Sequence, residues 1–270
     1  MLQHYISYLS VIILSMFILG CQQSPLSSNK DESNKNTVTD KKRRYVRINN
    51  LSEKDTPVSL HEQRAKAYPS FYIIEGNNND KKVALTFDDG PDQHTQKVVE
   101  KLNKFNVKAT FFMIGQKISS QSSLVKSMHQ QGHLLANHSW DHTKASQYQD
   151  ADSYWSEQIA PTNQIIQETT GLIPTLFRPP YGNISDPQIL KLIDNKIKTV
   201  IWSIDTQDWN DNINTKENVA SHAIKHAHPE AIILMHDGGG NRQGTVDALS
   251  DIIEHYRQLN YQFVTVDELF

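Results

Sequence analysis

Two adjacent carboxylates, Asp88 and Asp89, follow the apolar run Val83–Phe87 and stand just before Gly90 and Pro91. Neighbouring side chains on a turn point to different partners, so one carboxylate can ligate a cation while the other stays free as a base. An Asp-Gly turn with no chemistry is the alternative this motif leaves open by itself. His138-Ser139-Trp140-Asp141-His142 puts two histidines at i and i+4, a spacing that lies on one helical face and brings two imidazoles to one metal ion. The glutamate of the H-E-x-x-H pattern is absent, so a base must come from elsewhere, and in a chain with 12 histidines one such spacing can also arise by chance. Arg178-Pro179-Pro180-Tyr181-Gly182 is a turn stiffened by two prolines that can offer a backbone N–H to an oxyanion. Asp205-Thr206-Gln207-Asp208-Trp209 adds two carboxylates and an aromatic wall. His236 ends the run Ile233-Leu234-Met235, where a satisfied core histidine is the plain alternative to a chemical one.

These motifs lie far apart in the chain, so a frame must gather them. Short apolar runs predict strands at 83–87, 109–114, 133–138, 176–177, 199–204, 231–235 and 263–266. Apolar residues at three- and four-residue spacing predict helices between them, at about 98–105, 118–131, 151–170, 186–195, 215–227 and 245–259. Strands that are apolar on both faces and alternate with helices imply a mostly parallel sheet covered on both sides. The expected fold is α/β, a distorted or incomplete (β/α) barrel of about seven parallel strands, with an open doubly wound sheet as the alternative. In either architecture chemistry collects beyond the carboxyl ends of the strands, which is where the motifs fall.

Taken in this order, TFDDG, HSWDH, RPPYG, DTQDW and LMH resemble the five motifs of the polysaccharide deacetylases of carbohydrate esterase family 4, proteins with a NodB-like domain. The resemblance covers residues 81–270 and includes ATFF at 109–112 and the closing FVTVDEL. It implies hydrolysis of N-acetyl groups from a GlcNAc-containing glycan, with release of acetate. Carried over residue by residue, it implies Asp89, His138 and His142 as metal ligands and Asp88 as general base. It makes His236 the general acid with Asp208 as its charge partner, and Arg178 the residue that orients the carboxylates. The Tyr181 backbone N–H would hold the oxyanion, and Trp209 and Leu234 would enclose the acetyl methyl. The implied cofactor is one divalent ion, most often Zn²⁺, with Co²⁺ or another divalent ion also compatible with these ligand types. Three rivals belong to other classes: an O-acetyl esterase on an acetylated xylan-type polymer, a non-catalytic glycan-binding lipoprotein, and a structural envelope protein.

Composition narrows the partners. With 27 Lys+Arg against 30 Asp+Glu, the net charge of -3 lacks the basic excess expected of a nucleic-acid binder. One cysteine excludes an intramolecular disulfide and any multi-cysteine zinc site. No protein partner is evident, and a glycan substrate is compatible with near-neutral charge. That cysteine, Cys21, follows an apolar run from Ile6 to Gly20 that is short of the ~20 residues a spanning helix needs. The run fits a signal peptide over residues 1–20, and Ile18-Leu19-Gly20-Cys21 resembles a lipoprotein lipobox with Cys21 as the lipidation site. An uncleaved anchor is the alternative. Both readings attach the chain to a membrane and place the rest outside the cytoplasm, in the bacterial cell envelope. Residues 21–80 are expected to form a polar tether and a lead-in, with the catalytic domain over 81–270.

Overall fold

The computed structural model describes residues 57–270, so Cys21, the segment expected to be a signal peptide and most of the tether lie outside the described residues. Among the described residues no helix is long and apolar enough to cross a membrane.

The apolar runs become strands of one sheet: β1 (Tyr72–Ile73), β2 (Lys82–Gly90), β3 (Thr110–Met113), β4 (Leu134–Asn137), β5 (Leu176–Phe177), β6 (Lys198–Val200), β7 (Ile204–Asp205), β8 (Ala231–His236) and β9 (Gln262–Phe263). The 9-stranded sheet runs in the order β1-β6-β5-β4-β3-β2-β8-β7, with β9 also paired to β2. Every pairing is parallel. The longer helices are α1 (Val58–Ala67), α2 (Thr95–Lys104), α3 (Ser122–Gln130), α4 (Ala160–Thr170), α5 (Asp186–Asp194), α6 (Lys216–Lys225) and α7 (Gln243–Gln258), with single α-helical turns at Gly115–Ile118 and Ala151–Tyr154 and short 3₁₀ and π turns between some of them. This is the distorted, incomplete (β/α) barrel expected from the sequence.

The period-2 alternation of the central strands decides what reaches the barrel mouth. On β2, Val83, Leu85 and Phe87 pack outward in the larger core, and Phe87 stacks on Phe111 of β3 with ring centroids 5.1 Å apart. Ala84 packs in the second core on the opposite face, and Thr86 and Asp88 share its parity. On β8 the same rule sends Ile233 and Met235 outward and Ile232 and Leu234 inward, which leaves His236 on the inner face. Because β2 and β8 pair with Asp88 opposite His236, two titratable groups from segments 148 residues apart meet at one rim. Burying each Leu, Phe or Ile of these two cores contributes roughly 1.5–3 kcal/mol, which holds that register.

The structure differs from the sequence expectations in four places. The strand expected at 199–204 is two: β6 pairs with β5, β7 pairs with β8, and Ile201–Ser203 between them pair with neither strand in register. Successive strands β6 and β7 thereby lie toward opposite ends of the sheet order without pairing to each other, so the sheet does not close. Tyr72 and Ile73, assigned to the lead-in, pair with Thr199 and Val200 as a further strand. The last strand is only Gln262–Phe263 and gives way to a 3₁₀ turn over Val266–Leu269. Finally, His138–His142 is a loop rather than a helix face, because Ser139 (φ 70°) and His142 (φ 69°) are left-handed. The helix expected over 151–170 does run that length, with a π turn at Trp155–Ile159 and Gly171 (φ 80°) closing it as a left-handed cap.

Candidate active site

Asp88 leaves β2 on the inner face, where Nη1 of Arg178 donates to its Oδ1 at 2.7 Å. The guanidinium is fully buried and spends its other donors on Thr86 Oγ1 at 2.8 Å and the Ile201 carbonyl at 3.0 Å, while the Phe112 ring lies 4.0 Å from its Cζ. Planar fork geometry suits arginine to such a site, since Nε, Nη1 and Nη2 each reach an acceptor. Burial raises the Asp88 pKa above the usual carboxylate range, and Arg178 offsets only part of that. The group is a carboxylate basic enough to accept a proton.

Asp89 sits in a break of the β2–β3 register and is left-handed at φ 74°. The bulge turns its carboxylate away from that of Asp88. Lys117 steadies this turn, its Nζ donating to the Asp89 carbonyl at 2.9 Å and pairing with Asp92 at 2.7 Å. Asp89 Oδ1 lies 3.5 Å from His138 Nε2 and 3.3 Å from His142 Nε2. His138 Nδ1 is 2.7 Å from the Arg178 carbonyl, an acceptor, so Nδ1 carries the proton and Nε2 presents a lone pair. Burial drives the His138 pKa down to about 3 and lowers that of His142, so both imidazoles are neutral at neutral pH. One ligand atom from each of Asp89, His138 and His142 lies within 4.8 Å of the other two. Among the described residues, Asp89 Oδ1 is moreover buried without a hydrogen-bond partner. One carboxylate and two neutral imidazoles with an open side fit a catalytic divalent-ion site.

The other wall uses the same two residue types differently. His236 Nδ1 lies 2.7 Å from Asp208 Oδ1, and the His236 backbone N–H and the Thr245 hydroxyl both donate to Asp208 Oδ2 at 2.7 Å. Burial by itself would lower the His236 pKa, but the Asp208 charge and hydrogen bond outweigh it and raise the pKa to about 9. The Asp208 pKa is lowered by His236 and these donors, against the opposing effect of burial. Arg242 holds the Asp208 carbonyl at 2.9 Å and the Gly238 carbonyl at 2.9 Å, tying the two loops together.

Between the walls is a cavity of about 320 Å³. It is lined by Asp88, Asp89, His138, His142, Tyr181, Trp209, Leu234 and His236, together with Pro179, Trp202 and Asp205. Arg178 and Asp208 stand directly behind Asp88 and His236. Tyr181 is left-handed at φ 58° and 46 % exposed, its ring 4.6 Å from that of His142. Trp209 is 40 % exposed at the opposite rim, and its indole N–H donates to Asp205 Oδ1 at 3.2 Å. Every site residue expected within the described residues therefore converges on one cavity; Cys21 lies outside them. Sequence reasoning missed Trp202, Thr245 and Arg242, and gave Asp205 no role. Burial pushes the Asp205 pKa up to about 6, and its position three residues before Asp208 was the one available signal.

A polysaccharide deacetylase family profile matches residues 75–200. The chain is 36 % identical over 217 residues to a peptidoglycan-N-acetylglucosamine deacetylase of Bacillus cereus, covering 80 % of this chain and 75 % of that one. It is 34 % identical over 210 residues to the peptidoglycan-N-acetylmuramic acid deacetylase PdaA of Bacillus subtilis, covering 75 % of each. Among solved structures, the Bc1960 peptidoglycan N-acetylglucosamine deacetylase superposes with a TM-score of 0.70 at 34 % identity, over 73 % of this chain and 92 % of that one. With this fold similarity and this level of identity across most of both chains, the protein belongs to the polysaccharide deacetylase family and is an enzyme of that class.

Proposed function

We propose that the protein is a metal-dependent hydrolase that removes N-acetyl groups from GlcNAc-containing peptidoglycan and releases acetate. One observation carries this reading. A carboxylate made more basic by burial and a histidine raised to about 9 stand side by side at the rim of one cavity, which three metal donors, Asp89, His138 and His142, also line. Titratable groups whose environments push their pKa values apart divide the acid and base roles.

A divalent ion, Zn²⁺ in our proposal, held by Asp89, His138 and His142 would polarise the acetyl carbonyl and lower the pKa of a water. Asp88 takes the proton of the attacking water, and Arg178 keeps its second oxygen aimed away from that proton. The Tyr181 backbone N–H donates to the developing oxyanion, a charge-directed hydrogen bond that strengthens as the carbonyl becomes tetrahedral. His236 delivers its Nε2 proton to the departing nitrogen, since Asp208 already occupies Nδ1. Trp209 and Leu234 enclose the acetyl methyl, which favours a two-carbon acyl group. The peptidoglycan substrate is supported by the activities named for the relatives, and a site outside the cytoplasm follows from that substrate. Membrane attachment through a lipid on Cys21 is supported by Ile18–Cys21, and loss of palmitate labelling in Cys21→Ser tests it.

The test is acetate release, with mass-spectrometric detection, from N-acetylated peptidoglycan and GlcNAc oligomers. Activity that disappears with chelator and returns with Zn²⁺ is expected. Wild-type-like turnover in Asp88→Asn sinks the base assignment, and preference for acetylxylan over N-acetylated glycans sinks the substrate.

A further inference from the structure

Residues 57–74 lie upstream of the family-matched segment, yet they touch the site. α1 carries His61, which is fully buried, and its Nδ1 lies 2.6 Å from the Tyr72 hydroxyl of β1. β1 is itself fixed at the margin of the sheet, with the Thr199 N–H donating to the Phe71 carbonyl and the Ile201 N–H to the Ile73 carbonyl, both at 2.7 Å. The two rings lie with centroids 6.0 Å apart and an interplanar angle of 28°. The other ring nitrogen, Nε2, is buried without a hydrogen-bond partner among the described residues.

That unsatisfied edge lies against the Pro179–Gly182 turn. A Cβ placed on Gly182 would come 3.5 Å from His61 Cε1 and Nε2, and 3.5 Å from the Trp202 ring. Trp202 lines the cavity, so His61 sits one layer behind its wall. Tyr181 and Gly182 are both left-handed, at φ 58° and 64°. For tyrosine that conformation is costly and persists only where surrounding structure enforces it. One turn further along α1, Arg64 Nε donates to Asp186 Oδ1 at 2.8 Å, which fixes the first residue of α5 immediately downstream. α1 therefore grips the 182–186 segment at both ends. Burial, with help from Arg64, brings the His61 pKa down to about 4, so the ring is neutral and acts by shape and hydrogen bonding.

We propose that His61, oriented by Tyr72, is a positioning residue for the reaction: it forms the floor under the Pro179–Gly182 turn and thereby sets where the Tyr181 backbone N–H points. This rests on the reading of that N–H as the oxyanion donor. A group that acts only through the turn should affect the chemical step more than ground-state binding, because the oxyanion interaction is strongest in the transition state.

The test compares full-length wild type, His61→Ala and Tyr72→Phe by steady-state kinetics, bound-metal content and amide hydrogen exchange of the peptide spanning residues 178–184. His61→Ala is expected to lower kcat about tenfold with KM changed less than about twofold, as for a small misplacement of a reacting group. Metal content stays at the wild-type level, and exchange accelerates in that peptide without acceleration elsewhere in the sheet. His61→Phe, which refills the space, restores the slow exchange. A kcat within about twofold of wild type, or a lower kcat with unaltered exchange in residues 178–184, overturns the proposal. If His61→Ala does not fold, Tyr72→Phe decides: faster exchange in the same peptide with kcat lowered about two- to threefold supports it, and wild-type values for both overturn it. Absence of acetate release by the wild type would instead defeat the functional reading, while the exchange experiment would still report on the His61 contact.

Discussion

The two walls of the cavity are built from the same parts and behave oppositely. Each has a histidine largely withdrawn from solvent, its side chain 3 % exposed at His138 and 12 % at His236, whose Nδ1 lies 2.7 Å from an oxygen. On the β4 side that oxygen is the neutral Arg178 carbonyl, burial prevails, and His138 falls to about 3. On the β8 side it is the Asp208 carboxylate, the charge prevails over burial, and His236 rises to about 9. Depth alone therefore does not decide what a buried histidine does; the charge of the atom on its far nitrogen does. Here the neutral acceptor leaves His138 an unprotonated Nε2, as the proposed ligand role needs, and the anionic one keeps His236 protonated, as the proposed acid role needs.

The largest break in this comparison comes from removing each imidazole in turn. His138→Ala should lose both bound metal and activity, the latter by at least about 10³-fold, since it removes a ligand from a three-donor set. His236→Ala should keep the metal and lose about 10²–10⁴-fold in kcat, the usual share of a general acid. Metal analysis after dialysis, beside acetate-release kinetics, checks both. Equal metal retention by the two variants would erase the distinction between the walls.

Asp208→Asn tests the anionic partner with smaller expected damage, about 10²-fold in kcat. Its pH dependence carries more information. In the proposed mechanism His236 acts in its protonated form, and its pKa is raised, so the alkaline limb of activity should fall as pH rises through about 9. Replacing the carboxylate by an amide removes the cause of the elevation, and the alkaline limb of the kcat–pH profile should move acidward, toward neutrality. A limb that stays near its wild-type position would show that some other group sets it.

How much of this was legible beforehand follows from what a sequence pattern reports. The runs at 83–87 and 231–235 are apolar because both faces of β2 and β8 are covered, and their ends place Asp88 and His236 at the rim. Burial leaves a periodic trace, so those strands and the cavity residues on them were readable. Partner choice leaves none. His138 and His142 have helical spacing, but left-handed Ser139 and His142 bring them together on a loop, stabilised by the Ser139 hydroxyl accepting from the His142 N–H at 3.0 Å. The 199–204 run reads as one strand across a break that only its two different neighbours create. Tyr72 and Ile73 are too short a run to register as a strand without β6 beside them. Arg242 and His61 belong to no motif in the sequence, and only tertiary contacts supply their partners.

Thr245, near the start of α7, is the subtlest of these and gives the smallest predicted effect. Its buried hydroxyl donates to Asp208 Oδ2, so Thr245→Val keeps nearly the same volume and deletes one donor to a charged acceptor. A hydrogen bond to a charged group contributes about 1.5–3 kcal/mol, and the Asp208 backbone donor from His236 remains to hold the geometry. With one donor gone, the Asp208 charge is less satisfied and leans more on the His236 N–H. The imidazolium is then stabilised further, and the His236 pKa should rise rather than fall. The alkaline limb of the profile should shift slightly upward, opposite in sign to Asp208→Asn. At the same time kcat should drop by about threefold, because a weaker acid transfers its proton less readily. An NMR titration of His236 in both variants, read beside the kcat–pH profiles, checks the sign. Shifts in the same direction would mean that the Asp208 carboxylate is not what sets the acid wall apart from the metal wall.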